Sequence, residues 1–322
     1  MKIFAESLFE RSELDEAKIF IHDYEYACEL LNIMASQSKL FNDLSGYTPT
    51  WCPGCGDWGI VRAVKLALSE QGLGPSDIFA AFDIGCSGNM NDFLHANSMH
   101  TLHGRSISSA IGMKLAHHTR PVIAIGGDGA FYGEGGNHFL HACRGNHDIT
   151  VIAHDNMVYG LTTGQTAPTA NKGTKTKSTP GGSVETPVNP LTLAISQGAT
   201  FVAQSFANNS RHVADMIKAA MQHKGFSLVN ILQPCVTFNK INTYQYFFDR
   251  TYYLGDRYDT SSLPLALLKS IEPSYERFPL GILYQKTDSV PYHEQLPQLE
   301  AKTPLVLSSI QRNMAHLEHS FR

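Results

Sequence analysis

One stretch constrains the fold more than any other: Val122 to Gln165, reading VIAIGGDGAFYGEGGNHFLHACRGNHDITVIAHDNMVYGLTTGQ. A short apolar run ends in Gly-Gly-Asp-Gly, a helix-forming segment follows, and a second apolar run ends in Asn156. Strand, helix, strand at this spacing is the unit that joins neighbouring parallel strands by a right-handed crossover. Asp128 and Asn156 then stand at the carboxyl ends of two strands, each near glycine, and that edge is where open parallel sheets bind their ligands. Magnesium takes oxygen ligands and keeps substrate phosphates in its shell. Asp128, Asn156 and a carbonyl near Val158 therefore make a candidate seat for a magnesium diphosphate.

The rest of the chain repeats the pattern. Apolar runs at 78–84, 201–206 and 228–232 alternate with segments of helical spacing such as WGIVRAVKLALSEQGL and RHVADMIKAAMQH. Strands alternating with helices specify an α/β fold, a doubly wound parallel sheet. Residues 46–240 form this main domain. Residues 1–45 read as a helical N-terminal extension, and residues 241–322, richer in aromatics and proline, as a C-terminal appendage. Between Gln165 and Pro190 apolar residues nearly vanish, and so long an aperiodic loop beside a ligand seat is expected to be a lid or a partner-contacting loop. His103, Gly104 and Arg105 precede another helix, to be capped by Ser106, Ser108 or Ser109, and its N-terminus suits an anion.

Charge and hydropathy exclude several classes. A net charge of −4 over 322 residues gives no field for nucleic acid or anionic lipid. No apolar run reaches the roughly 20 residues of a membrane helix. The acidic N-terminus lacks the basic-then-apolar order of a signal peptide, so a cytoplasmic protein is expected.

The six cysteines are Cys28, Cys52, Cys55, Cys86, Cys143 and Cys235. In a protein of that compartment they point to metal or redox chemistry more than to disulfides. Cys143 lies within a helical apolar pattern and is expected in the core. Cys52 and Cys55 form a Cys-x-x-Cys loop ahead of a helix, whereas Cys86 and Cys235 each follow a strand on the same edge as Asp128 and Asn156. Four thiolates suit zinc or a 4Fe–4S cluster by count. Their place beside a cofactor seat favours the redox cluster, since structural zinc has no need to lie there.

Several ordered motifs carry a resemblance: WCPGCGDWGI, DIGCSGN, HTLHGR, GDG, GGNH, NMVYGLTTGQTAPT and QPCVTFN. Together, from about Tyr47 to Tyr284, they resemble the beta subunit of 2-oxoacid:ferredoxin oxidoreductases. The resemblance implies a thiamine diphosphate-binding fold and an enzyme with thiamine diphosphate, Mg2+ and a 4Fe–4S cluster as cofactors. Its reaction would be CoA-dependent oxidative decarboxylation of a 2-oxoacid, pyruvate or 2-oxoglutarate, to acyl-CoA and CO2. Electrons would pass through the cluster to ferredoxin. Cys52, Cys55, Cys86 and Cys235 would ligate the cluster, and Asp128, Asn156 and the Val158 carbonyl the magnesium. Gly85, Cys86, Ser87, His103, Gly127, Gly129, Gly160 and Leu161 would line the cofactor. The carboxylate that activates the aminopyrimidine would come from a separate alpha, or fused gamma-alpha, subunit. Two positions depart from the family pattern: Ala130 stands where many members carry Asp, and Thr163 where some carry Lys, a cation suited to the distal carboxylate of 2-oxoglutarate.

Overall fold

The computed structural model describes residue 41 and residues 50–272, 276–299 and 303–308. The helical extension expected over 1–45 lies outside the described residues except for Phe41. That ring is buried in the core, and its carbonyl accepts from the His95 amide at 2.8 Å.

The chain runs α1 (Asp57–Glu70), β1 (Phe79–Phe82), β2 (Asn97–His100), α2 (Ser106–Ala116), β3 (Val122–Gly127), α3 (Gly136–Gly145) and β4 (Thr150–Asp155). A small antiparallel ribbon follows, β5 (Val158–Tyr159) with β6 (Gln165–Thr166). Then come α4 (Pro190–Ser196), β7 (Phe201–Phe206), α5 (Ser210–Gln222), β8 (Ser227–Leu232), α6 (Tyr244–Phe248), β9 (Thr251–Tyr253), α7 (Leu263–Ser270) and β10 (Phe278–Gln285). The main sheet has the order β2-β1-β3-β4-β8-β7-β10-β9. Every neighbouring pair is parallel except β10 with β7. Thus β9 and β10, from the region beyond residue 240, extend the far edge of the sheet.

Strand composition explains the two-sided burial. VIAIGG, TVIAHD, SLVNIL and FVAQSF are nearly continuous apolar runs, as strands covered on both faces require. Alternate side chains feed two core layers. Ile123, Ile125, Ile152, Val229 and Ile231 pack with α1 and α5 through Ile60, Val64, Leu68, Val213 and Ile217. Val122, Ala124, Val151, Leu228 and Val202 pack with α2, α3 and α4 through Ile107, Phe139, Leu191 and Ile195. Cys143 is fully buried in the second layer, as its apolar setting predicts. Each large aliphatic or aromatic side chain so buried contributes about 1.5–3 kcal/mol. β2, by contrast, is Asn-Ser-Met-His with every residue exposed. It carries no apolar signal, and only its ladder to β1 makes it a strand.

The turn before α2 is held from a distance. No side chain of its own segment caps α2; the hydroxyls of Ser106, Ser108 and Ser109 do not do so. The buried carboxylate of Asp83, just past β1, accepts instead from the backbone N–H groups of Gly104 (2.8 Å) and Ser106 (3.1 Å) and from the Ser106 hydroxyl (2.7 Å). His103 Nδ1 lies 3.0 Å from its Oδ1. Burial pushes the Asp83 carboxyl up, but the bonds from His103, Ser106 and Gly104 outweigh it and hold the group below the usual range. Among the described residues no helix is long and apolar enough to cross a membrane.

Asp83→Asn is expected to cost about 1–3 kcal/mol in urea unfolding at pH 7, through a lower midpoint with an unchanged slope. A lowered carboxylate contributes stability that is complete above its unfolded value, about 3.9, and is lost as pH falls through the folded value. The gap between wild type and variant therefore closes as the titration is repeated below pH 4.

Candidate cofactor site

Two cavities meet at the carboxyl edge of the sheet. The first is lined by Gly85, Cys86, Ser87, His103, Gly127, Asp128, Gly129, Asn156, Val158, Gly160 and Leu161, together with Ile84, Ala130, His154, Tyr159 and Thr162. All the residues expected to line a cofactor or to hold magnesium thus fall on one cleft. The second is lined by Cys52, Cys55, Cys86 and Cys235 with Trp51, Gln233, Val236 and Phe238. Cys86, Asn156, Gly160 and Leu161 belong to both and form the wall between them. Gly160 places its backbone close to both sulfurs in that wall: a Cβ there would make ordinary contacts, 3.5 Å from Cys235 Sγ and 3.7 Å from Cys86 Sγ.

Each element presents its residue for a local reason. Asp128 follows β3 at the mouth of a π-helical turn, Gly129–Glu134. Gly129 admits no side chain, because a Cβ would meet the Tyr159 ring at 2.2 Å. Asn156 follows β4, and its Oδ1 accepts from the Val158 amide at 3.1 Å. Met157 between them takes a positive φ of 59°, a strained conformation for a non-glycine residue that turns the chain sharply into β5. The Asn156 carbonyl accepts from Asn239 Nδ2 at 3.0 Å, which ties the Cys235 loop to the Asn156 turn. On the cysteine side, the Cys55 amide bonds the Cys52 carbonyl at 3.0 Å, closing the Cys-x-x-Cys turn. Trp51 Nε1 donates to the Cys86 carbonyl at 2.7 Å. Cys52, Cys55, Cys86 and Cys235 form no disulfide among the described residues. Burial, then the charge of Asp57, pushes Cys86 up to about 12.

The electrostatics call for a cation. Asp128 and Asp155 are both buried, and the Thr169 hydroxyl donates to Asp128. Asp155 accepts from Asn230 at 3.2 Å, while its Oδ1 has no hydrogen-bond partner among the described residues. Burial and then Asp155 push Asp128 well up; burial pushes Asp155 up to about 6 against the bonds from Asn230 and Thr169. Two adjacent buried carboxylates with so few donors hold negative charge that the protein itself does not meet. A magnesium ion on Asp128, Asn156 and the Val158 carbonyl fits this donor set, which is oxygen throughout.

Residues 83–231 match the family model of the thiamine pyrophosphate enzyme C-terminal TPP binding domain. Residues 235–301 match that of the C terminal of the pyruvate ferredoxin oxidoreductase beta subunit. The chain is 43% identical over 263 residues to a 2-oxoacid:ferredoxin oxidoreductase subunit beta of Saccharolobus solfataricus, covering 77% of this chain and 85% of the relative. The chain belongs to the beta subunits of the 2-oxoacid:ferredoxin oxidoreductases. A 2-oxoglutarate synthase subunit KorB of Archaeoglobus fulgidus is 42% identical over 191 residues, 59% of this chain and 71% of its own length. A solved 2-oxoglutarate:ferredoxin oxidoreductase of Magnetococcus marinus, with 2-oxoglutarate, coenzyme A and succinyl-CoA bound, superposes with a TM-score of 0.81 at 36% identity, over 88% of this chain and 96% of that one. The thiamine diphosphate-binding α/β fold and the oxidoreductase class expected from the motifs both hold.

Several residues of this beta subunit's site escaped the sequence reading. Asp57, Asp83, His154, Asp155 and Thr169 are all buried at or behind the two cavities. Asp57, Asp83 and Thr169 stood inside the quoted motifs WCPGCGDWGI, DIGCSGN and NMVYGLTTGQTAPT, and His154 and Asp155 inside the stretch from Val122 to Gln165, so their places in those segments were the available signal. Thr169 belongs to the loop expected to be a lid or partner contact, and the loop carries it down onto Asp128. That loop is also internally bonded, Gly173 to Ser183 at 2.7 Å and Ser183 to Thr174 at 2.9 Å.

The signs of the carboxylate shifts make a prediction for the cofactor-free protein. A group with a raised folded value contributes stability below its unfolded value of about 3.9 that is lost as pH rises through the folded one, about 6 for Asp155. Chemical denaturation from pH 4 to 6.5 is expected to show a loss of stability from the buried Asp128–Asp155 pair. Asp155→Asn flattens that part of the profile, and magnesium with thiamine diphosphate opposes the loss.

Proposed function

We propose that this beta subunit binds thiamine diphosphate through magnesium on Asp128, Asn156 and the Val158 carbonyl, and carries a 4Fe–4S cluster on Cys52, Cys55, Cys86 and Cys235. With an alpha, or fused gamma-alpha, subunit it converts a 2-oxoacid, pyruvate or 2-oxoglutarate, and CoA to acyl-CoA and CO2, passing electrons to ferredoxin. The observation that carries this reading is the shared wall of Cys86, Asn156, Gly160 and Leu161 between the diphosphate cleft and the four-cysteine cavity.

The donor sets support each half. Four cysteines line one cavity, yet among the described residues no three His, Cys, Asp or Glu side chains come close enough to hold a single metal ion. A tetrahedral zinc needs its thiolates at about 2.3 Å from one centre, whereas a cluster spreads them over several iron atoms. Bound here, thiamine diphosphate supplies an electron sink for decarboxylation and the cluster a one-electron acceptor beside it. Asp128 and Asn156 hold the metal, and Gly85, Gly127 and Gly160 leave backbone room for phosphate. His103, fixed by Asp83, stands at the cleft.

The partner follows from what surrounds the cleft. Ile84 and Leu161 on its lining, Leu102 beside His103 and Phe238 on the cysteine cavity are exposed large apolar side chains. A rim of this kind is suited to burial against a second chain. That chain would supply the aminopyrimidine carboxylate. Thr163, where some members carry Lys, leaves a distal substrate carboxylate without that cation on this subunit, so its recognition would fall to the partner. Residues 46–240 would hold both cofactors, with β9 and β10 of the region beyond residue 240 bracing the far edge of the sheet.

Protein purified anaerobically is expected to be brown, with about four irons per chain as a 4Fe–4S cluster requires. Cys235→Ala should lose the visible absorption and the iron. Zinc in place of iron would sink the cluster. The isolated chain should form no acyl-CoA from pyruvate or 2-oxoglutarate with CoA and viologen, and adding the partner subunit should restore turnover. Turnover by the chain alone would refute the division of the site between two subunits.

A further inference from the structure

Asp57 opens α1 two residues after Cys55 and is fully buried. Its two oxygens face different sites. Oδ1 lies 2.6 Å from His154 Nδ1, and Oδ2 lies 3.3 Å from Cys55 Sγ. His154 is itself 1% exposed, sits on β4 and belongs to the lining of the diphosphate cleft. Its Nε2 has no hydrogen-bond partner among the described residues. On the other side of Cys55, Gln233 Nε2 lies 3.1 Å from the same sulfur. One buried carboxylate therefore links a residue of the cofactor cleft to a cysteine of the neighbouring cavity.

Helix capping does not account for this placement. The N-cap of α1 is Gly56, which has no side chain to cap with, and the first-turn N–H groups of Trp58, Gly59 and Ile60 bond the carbonyls of Cys55 and Gly56 rather than the Asp57 carboxylate. An acidic residue in a first turn acts on the helix dipole equally well from the surface. Burying it against a thiol carries a desolvation penalty that the dipole does not require.

Resting on the cluster assignment above, we infer that the Asp57 carboxylate, held in place by His154, sets the reduction potential of the cluster. The couple is the one-electron reduction of the cluster, which adds one negative charge to it. A carboxylate against a ligand sulfur opposes that charge in a medium of low dielectric constant. Cluster potentials respond to nearby charge and to hydrogen bonds at the sulfurs, and Asp57 and Gln233 act on the same sulfur in opposite senses. Asp57 lowers the potential and Gln233 raises it. Asp57 is a positioning and tuning residue that acts through the cluster.

The test is an EPR-monitored redox titration of the anaerobically purified complex with its partner subunit, using a solution mediator as the electron donor. Asp57→Asn keeps the shape, removes the charge and can donate to sulfur. Asp57→Ser removes the charge without reproducing the shape. Both are expected to raise the midpoint potential, by at least about tenfold in the reduced-to-oxidised ratio at fixed solution potential, or about 59 mV for a one-electron couple. The shift in either variant that retains wild-type iron supports the inference. Iron-loaded variants at the wild-type potential, or shifted downward, overturn it. Loss of the cluster from both variants also overturns it, because Asp57 would then serve assembly. Wild-type complex lacking iron overturns the cluster assignment itself, and this inference with it.

Discussion

Four aspartates, Asp57, Asp83, Asp128 and Asp155, are buried along one edge of the mostly parallel sheet, three of them at strand ends and Asp57 at the start of α1, and the site depends on how each charge is met. Asp83 is answered within the chain, by backbone and side-chain donors that fix the approach to α2. Asp57 is answered by His154 across the sheet edge. Asp128 and Asp155 are answered only in part, by Thr169 and Asn230. Burial of carboxylates is tolerated where partners are at hand and otherwise favours a bound cation. The charge balance thus divides this edge into a rigid part, made of satisfied acids, and a part completed by a ligand.

The rigid part explains the placement of the rest. Asp83 holds His103 at the cleft, Asn239 holds the Asn156 turn, and Trp51 holds the backbone at Cys86. These contacts set the distance between the two cavities, whose common wall is a few side chains thick. Gly160 lies within that wall, beside the sulfurs of Cys86 and Cys235 and the Asn156 side chain.

Much of this was legible from local pattern. The continuous apolar runs announced strands covered on both faces, and their alternation with helices announced a parallel sheet. Asp128, Asn156, Cys86 and Cys235 could be placed on one edge because each follows such a run. β2 was illegible because its four residues are polar and exposed, so its strand character comes from β1 alone. The cap of α2 was assigned to nearby serines because local capping is the common case, yet its acceptor, Asp83, lies far upstream at the end of β1. The loop after Gln165 read as a cover because it lacks periodicity. Its bond from Thr169 to Asp128 spans a sequence separation of 41 residues, and no local pattern records it.

What the sequence by itself determined is the set of elements and the chemistry at their ends: period, length and turn residues place an oxygen donor or a cysteine after four of the strands. What only the tertiary structure decided is which of those groups share a site and how their charges are balanced. The pairing of Asp57 with His154, and of Asp155 with Asp128 behind Thr169, depends on strand order and helix packing. Those follow from burying both faces of the sheet at once, a property of the whole chain that no single segment carries.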